Sequence, residues 1–254
     1  MPTALVTGAT AGIGHAFVRA LAGEGYDMVL VARDEERLAS LAAGPPGISI
    51  TPLPADLTTV KGRAAVADRL ASGVDLLVNN AGASINEAFD ESSWASERRL
   101  LHLHVETVLQ LCHAAVPAML AAGRGDIINV SSVAGFFPTS GGPIYAAEKA
   151  FVTALSEGLA AQYAVRGVRV MALCPGFTHT EFHERAGLPT DGIPKQLWLT
   201  ADQVVSDGLK DLRRDRAISV PGLTYKGIVA VGRYLPRPIL QAASRIARGR
   251  RGRP

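Results

Sequence analysis

Short apolar runs recur along the chain, and between them hydrophobic residues return at every third or fourth position. The runs are TALVT (3–7), MVLVA (28–32), ISITPL (48–53), VDLLVN (74–79), DIINVS (126–131) and VRVMAL (168–173). They are nearly continuously apolar rather than alternating, as in strands buried on both faces of a parallel sheet. The stretches between them, such as AFVRALAGEG (16–25), EERLASLAAG (35–44) and residues 94–123, carry a helical period. Regular alternation of the two predicts βαβ units, and hence an α/β, doubly wound parallel sheet of about seven strands. With no internal repeat and no Pro/Gly linker, the chain reads as a single domain over residues 1–220, followed by a tail over 221–254 that is helical and then disordered.

Composition changes this picture at the ends. A chain of 254 residues with 48% hydrophobic content can fill a sizeable core. The net charge of +3 hides an asymmetry, because residues 233–254 hold seven arginines and no acid. Without those seven of the 26 basic residues, 19 remain against 23 acidic ones, so the body is at −4. The tail places Leu235, Ile239, Leu240 and Ile246 beside arginines. That suits peripheral contact with an anionic membrane surface, an oligomer partner, or packing on the chain's own domain. No aromatic platform accompanies the basic run, so nucleic acid is not an expected partner. The N-terminus has no basic leader, and no run of about 18 uncharged apolar residues is present. Cys112 and Cys174 both sit in apolar surroundings, as buried free thiols of a reducing compartment do. A cytoplasmic protein follows, with peripheral contact at the inner membrane surface left open by the tail.

Candidate chemistry begins at TGATAGIG (7–14), between the first strand and the first helix. Gly8, Gly12 and Gly14 allow a tight turn and close approach of the backbone to a pyrophosphate. That group would rest on the helix N-terminus, where unpaired N–H groups and the dipole favour an anion. At the end of the second strand, VARDEE puts Ala32 where an acid would bind a ribose hydroxyl, and Arg33 follows. A guanidinium forks onto a phosphate, so NADP(H) is preferred over NAD(H), with Asp34 capping the next helix. Farther on, YAAEK sets Tyr145 and Lys149 on one helical face. A nearby ammonium lowers a phenol's pKa from its usual value of about 10. The spacing alone is open to chance.

TGATAGIG, NNAG (79–82), NVSS (129–132), YAAEK (145–149) and CPGFTHT (174–180) occur in this order at fitting intervals, and together they resemble the short-chain dehydrogenase/reductase family; the basic tail is similar to that of its 3-oxoacyl reductase and hydroxysteroid dehydrogenase-like members. The resemblance spans residues 3 to about 220. It implies a Rossmann fold, hydride transfer between NAD(P) and an alcohol or carbonyl carbon, and a homodimer or homotetramer built on helices 94–122 and 143–166. It implies that Gly8, Thr10, Gly12, Ile13, Gly14 and Arg33 bind the cofactor. Asp56 and Leu57 touch its adenine, and Asn80, Ala81 and Gly82 line it. Pro175, Gly176, Thr178 and Thr180 hold its nicotinamide amide. Ser132 holds the substrate oxygen, Tyr145 passes the proton, and Lys149 tunes the tyrosine and holds the ribose. The family's fourth catalytic residue is an asparagine that supports a helix kink and a water near the lysine. His104 occupies that position, either as a relay or as a satisfied core histidine. Residues 181–200 form the lid, where Phe182, Leu188, Leu197 and Trp198, with Phe136 and Phe137, are expected to wall a pocket for an apolar carbonyl or alcohol substrate. His179 and His183 lack the order of a metal motif, and no metal is expected. A non-catalytic NADP(H)-sensing regulator or scaffold on the same fold is the alternative.

Overall fold

The computed structural model describes residues 1–42, 44–137, 142–188 and 192–235. The first half runs β1 (Thr3–Thr7), α1 (Gly12–Gly23), β2 (Asp27–Ala32), α2 (Glu35–Ala42), β3 (Ile50–Pro54), α3 (Val60–Ala71) and β4 (Leu76–Asn79). A long helix follows as α4 (Trp94–Leu101), a π turn (His102–Glu106) and α5 (Thr107–Ala122). The second half holds β5 (Gly125–Val130), α6 (Pro143–Tyr163), β6 (Val168–Leu173), β7 (Thr178–His179), α7 (Glu181–Arg185), β8 (Leu199–Thr200), α8 (Ala201–Leu212), β9 (Ile218–Ser219) and α9 (Leu223–Tyr234).

Seven strands form one parallel sheet in the order β3-β2-β1-β4-β5-β6-β9, while β7 and β8 pair separately. Strand order reverses between β1 and β4, which pair Val6 with Val78. In such sheets the crevice beyond the strand ends at this reversal takes the ligand. The buried runs explain the two layers of helices. Val6, Leu30, Val78 and Ile128 point to one face, where Phe17 and Leu21 of α1 and Val204 and Val205 of α8 cover them. Leu5, Val29, Leu77 and Ile127 point to the other, under Val66 of α3, Leu111 of α5 and Val152 of α6. Proline cannot donate to a ladder, and Pro52 and Pro54 accordingly sit on the edge strand β3.

The helix from Trp94 to Ala122 is long and apolar enough to cross a membrane. Here Leu111, Ala115, Val116 and Met119 bury its apolar face on the sheet. The division expected near residue 220 precedes α9, which packs against the body through Tyr225, Val229 and Gly232. Residues 236–254, with the expected apolar face of Ile239, Leu240 and Ile246, lie outside the described residues. Cys112 and Cys174 are both buried and free.

Candidate active site

A cavity of about 1350 Å³ opens above the β1–β4 reversal and runs from the glycine loop to the lid. At one end the glycines act through what they lack. Gly8 and Gly12 adopt φ of +65° and +53°, a region that L side chains rarely enter. A Cβ on Gly14 would lie 2.1 Å from the Gly8 carbonyl oxygen, so helix α1 can start directly beneath the loop only with glycine there. Gly14 therefore supports the loop from below, while Gly8, Thr10, Gly12 and Ile13 face the cavity. Helices α3, α4, α7 and α8 receive side-chain caps from Thr59, Ser93, Thr180 and Thr200. Helix α1 has Ala11 at its N-cap and no side-chain cap, so its first N–H groups are left for an anion.

Asn80 lines the cavity and also braces the loop: its amide donates to the Thr7 and Gly8 carbonyls at 2.9 and 3.2 Å. Ala81 and Gly82 continue the same wall. Arg33 is exposed at the cavity rim and has no ion pair among the described residues. Asp34 does cap α2, accepting from the Arg37 N–H at 2.9 Å, so its charge is turned toward its own helix. Asp56 and Leu57 lie nearby. Burial alone would raise the Asp56 carboxyl. Hydrogen bonds from the Thr58 N–H and hydroxyl, with the Arg33 and Arg99 guanidiniums, bring it below its ordinary value. Arg99 on α4 also borders the cavity. No local motif marks it, because only the fold brings α4 beside Asp56.

At the other end, Ser132, Tyr145 and Lys149 converge on the same cavity, with Pro175, Gly176, Thr178 and Thr180 opposite. Ser132 ends the loop after β5 and caps a short 3₁₀ turn by accepting from the Ala134 N–H at 3.1 Å. Lys149 is buried, and its ammonium donates to the Val130 carbonyl at 2.9 Å and stands 5.7 Å from the Tyr145 ring centre. Burial lowers the lysine to about 8, against the raising charges of Glu148 and Cys174. The tyrosine differs from the sequence expectation. Burial pushes it up to about 12, the Ser132 hydrogen bond opposes this, and the Glu148 charge adds to the rise. At this distance the ammonium does not overcome the loss of water around the phenol.

His104 does not border the cavity. It lies fully buried behind Tyr145, with the two rings edge to face at 5.8 Å. Its Nδ1 is 2.6 Å from Glu148 Oε2, and its Nε2 accepts from the Ala83 N–H at 3.1 Å. Both nitrogens are thus engaged, and neither is left to hold a water on the lysine.

The substrate walls are partly redistributed. Phe182, Leu188 and Phe137 line the cavity as expected, joined by Ile193, Tyr225 and Ile228. Phe136 and Leu197 instead pack against the core. Trp198 stacks on His179 at 4.6 Å and meets Phe177 and His183, which gives these two histidines aromatic neighbours. Trp198 follows the 3₁₀ turn Lys195–Leu197 and is not among the residues lining the cavity, whereas Phe177 and His183 are. Tyr225 anchors the loop that carries Phe177: its hydroxyl donates to the Leu197 carbonyl at 2.7 Å and accepts from the Phe177 N–H at 3.0 Å.

Comparison with known proteins agrees with this geometry. A short-chain dehydrogenase from Sphingobium yanoikuyae in complex with NADPH superposes with a TM-score of 0.84 at 37% identity, covering 88% of each chain. The bulky-bulky ketone specific alcohol dehydrogenase of Comamonas testosteroni does so with a TM-score of 0.79 at 30% identity, over 99% of this chain and 93% of that one. An uncharacterized oxidoreductase of Myxococcus xanthus is 30% identical over 248 residues, 96% of each protein. With the short chain dehydrogenase family model matching residues 2–189, this chain belongs to the short-chain dehydrogenase/reductase family and is an oxidoreductase on a single Rossmann-fold domain.

Proposed function

We propose that the protein is an NADPH-dependent reductase of apolar ketones. One observation carries the reading: Ser132, Tyr145 and Lys149 meet at one end of a continuous cavity whose other end is a glycine loop beside Arg33, which makes no ion pair among the described residues. The residues present fit the cofactor. The uncapped α1 and the glycine loop that Gly14 supports from below suit the pyrophosphate, and Arg33 suits a 2′-phosphate. Pro175, Gly176, Thr178 and Thr180 would hold the nicotinamide end. When bound, NADPH supplies the hydride.

The chain's own residues supply the rest. The Ser132 hydroxyl holds the carbonyl oxygen. Tyr145, at about 12, keeps its proton at neutral pH and donates it to that oxygen as charge develops there. The Lys149 ammonium then faces a forming phenolate and stabilises it. Phe137, Phe182, Leu188 and Ile228 exclude water and suit a carbonyl flanked by apolar groups. The NADPH complex of the Sphingobium enzyme and the ketone named for the Comamonas enzyme support the same reading.

The test is NADPH consumption with a panel of bulky ketones, aldehydes and 3-oxoacyl thioesters. Turnover is expected with ketones carrying two apolar substituents. Tyr145→Phe should lower kcat by ~10²- to 10⁴-fold with NADPH affinity retained. NADPH binding with no turnover on any carbonyl would instead favour a cofactor sensor.

A further inference from the structure

His104 and Glu148 are 44 residues apart and form a buried pair directly behind the reacting residues, their side chains 0% and 1% exposed. Their protonation follows from their partners. The Ala83 N–H can only donate, so His104 Nε2 accepts and the ring hydrogen sits on Nδ1. That hydrogen is donated to Glu148 Oε2, and the imidazole is neutral. Burial and the Lys149 charge, which together push its pKa well below the usual value, agree. His104 occupies the centre of the π turn, where the wider winding turns a residue out of the α-helical register. One unbroken chain of hydrogen bonds therefore joins the Ala83 loop, the long helix and α6.

We propose that Glu148 is a positioning residue. Clamped by His104, it fixes the Tyr145–Lys149 turn against the Ala83 loop and keeps a negative charge beside the lysine. The proposal rests on the reductase reading above and deepens it. A buried ammonium loses its hydration, and burial pulls Lys149 down to about 8. The Glu148 charge acts the other way and keeps the lysine protonated. The same charge raises Tyr145, so the phenol holds its proton until the substrate oxygen takes it. Both effects favour the pair of states that reduction needs, a charged lysine and a neutral tyrosine. Glu148 is itself raised to about 7 by burial, with Lys149 opposing, so its charge is present over the range in which the lysine titrates.

The titratable groups facing Glu148 are His104 from the π turn and Tyr145 and Lys149 from its own helix. His102 and Glu106 of the same π turn bond to each other, and Glu106 also pairs with Arg63. On α4 the buried Glu97 accepts from the Ser92 hydroxyl at 2.6 Å. Glu148 Oε1 is buried without a hydrogen-bond partner among the described residues.

The experiment uses the full chain and compares Glu148→Gln, Glu148→Ala, His104→Ala and the double alanine variant. Hydrogen exchange at the Ala83 amide reads the clamp without any need for turnover. Exchange is expected to accelerate by ~10-fold or more in both single alanine variants and to stay slow in Glu148→Gln, which keeps an acceptor for the imidazole N–H. Unchanged exchange in both alanine variants would overturn the clamp. The pH dependence of kcat reads the charge. Wild type should lose activity as pH rises through about 8, where Lys149 gives up its proton. In Glu148→Gln that limb should move by about one unit to lower pH, because the lysine has lost the charge that raises it. A limb that coincides with wild type would overturn the electrostatic part. The alanine variants should each lower kcat by ~10-fold with little change in the KM for NADPH, and the double variant should fall no further. Additive losses would show two independent residues and sink the pair. Glu148→Gln preserves volume, so it decides the matter if Glu148→Ala does not fold. If wild type reduces no ketone, the reductase reading falls, and amide exchange alone then decides the clamp.

Discussion

The two ends of the cavity are built by different means. At the glycine-loop end the backbone itself lines the cavity, and the side chains that matter are those absent at Gly8, Gly12 and Gly14. At the reacting end the groups are side chains, and their states depend on burial and on partners contributed by other elements. The first end is therefore expected to be sensitive to volume and nearly indifferent to pH. The second is expected to tolerate changes of shape that preserve its charges and hydrogen bonds, and to respond to pH.

Replacing Gly14 should expose that contrast with the largest effect. The new Cβ of Gly14→Ala would meet the Gly8 carbonyl oxygen at 2.1 Å and the Asn80 amide at 2.5 Å. The first is backbone, and the second is itself bonded to the loop, so the loop must move. NADPH affinity is expected to fall by ~100-fold or more at every pH tested, with a lower melting temperature. Retained affinity in a fluorescence titration would show that the loop can shift as a unit, and the two ends would then differ less than their construction suggests.

Arg33→Ala sharpens the comparison from the same end, because it removes charge and leaves the backbone cradle intact. Arg33 makes no close ion pair among the described residues and acts on Asp56 only through its charge, so truncation breaks no internal salt bridge. The preference for NADPH over NADH should drop by ~10- to 100-fold, the worth of a charge-assisted contact or two. NADH turnover should hardly change. A matched loss with both cofactors would mean that Arg33 supports the loop rather than reads the phosphate.

The same contrast explains what the sequence showed and what it hid. Features made by neighbours in the chain leave a local signal. The apolar runs predicted the six main strands because five of them are buried on both faces, the exposed edge strand β3 being the exception, and TGATAGIG announced its turn because glycine spacing is a backbone requirement. Features made by distant partners leave none. Arg63 carries a charge that would ordinarily face water, yet it is 1% exposed, bonded to Leu57, Glu106 and Gln110 from the first turn of α3. Glu148 sits inside the YAAEK motif without standing out, because its partner is in another helix. His104 drew notice only as a departure from the family's asparagine, and its bonds to Ala83 and Glu148 required the fold. Trp198 looked like a pocket wall because it is large and lies in the 181–200 stretch, but it stacks on His179 instead.

Tyr225 belongs to this second group and permits the finest test of how the ends are joined. It lies beyond the last motif, on α9, and its ring packs so closely on Gly176 that a Cβ there would fall 2.0 Å from its Cζ. Its hydroxyl satisfies the Phe177 N–H and the Leu197 carbonyl together. Tyr225→Phe keeps the ring and removes both bonds, leaving two polar backbone groups short of a partner. A loss of about 1–2 kcal/mol in unfolding free energy is expected, seen as a lower urea midpoint with an unchanged slope. Because the freed segment carries the loop opposite Tyr145 and leads to the lid, the KM for ketone should rise by ~3-fold while kcat holds. A lower midpoint with an unchanged KM would make α9 a structural support only. An unchanged midpoint would mean that water takes over both groups, and the loop would then owe its position to the Gly176 contact alone.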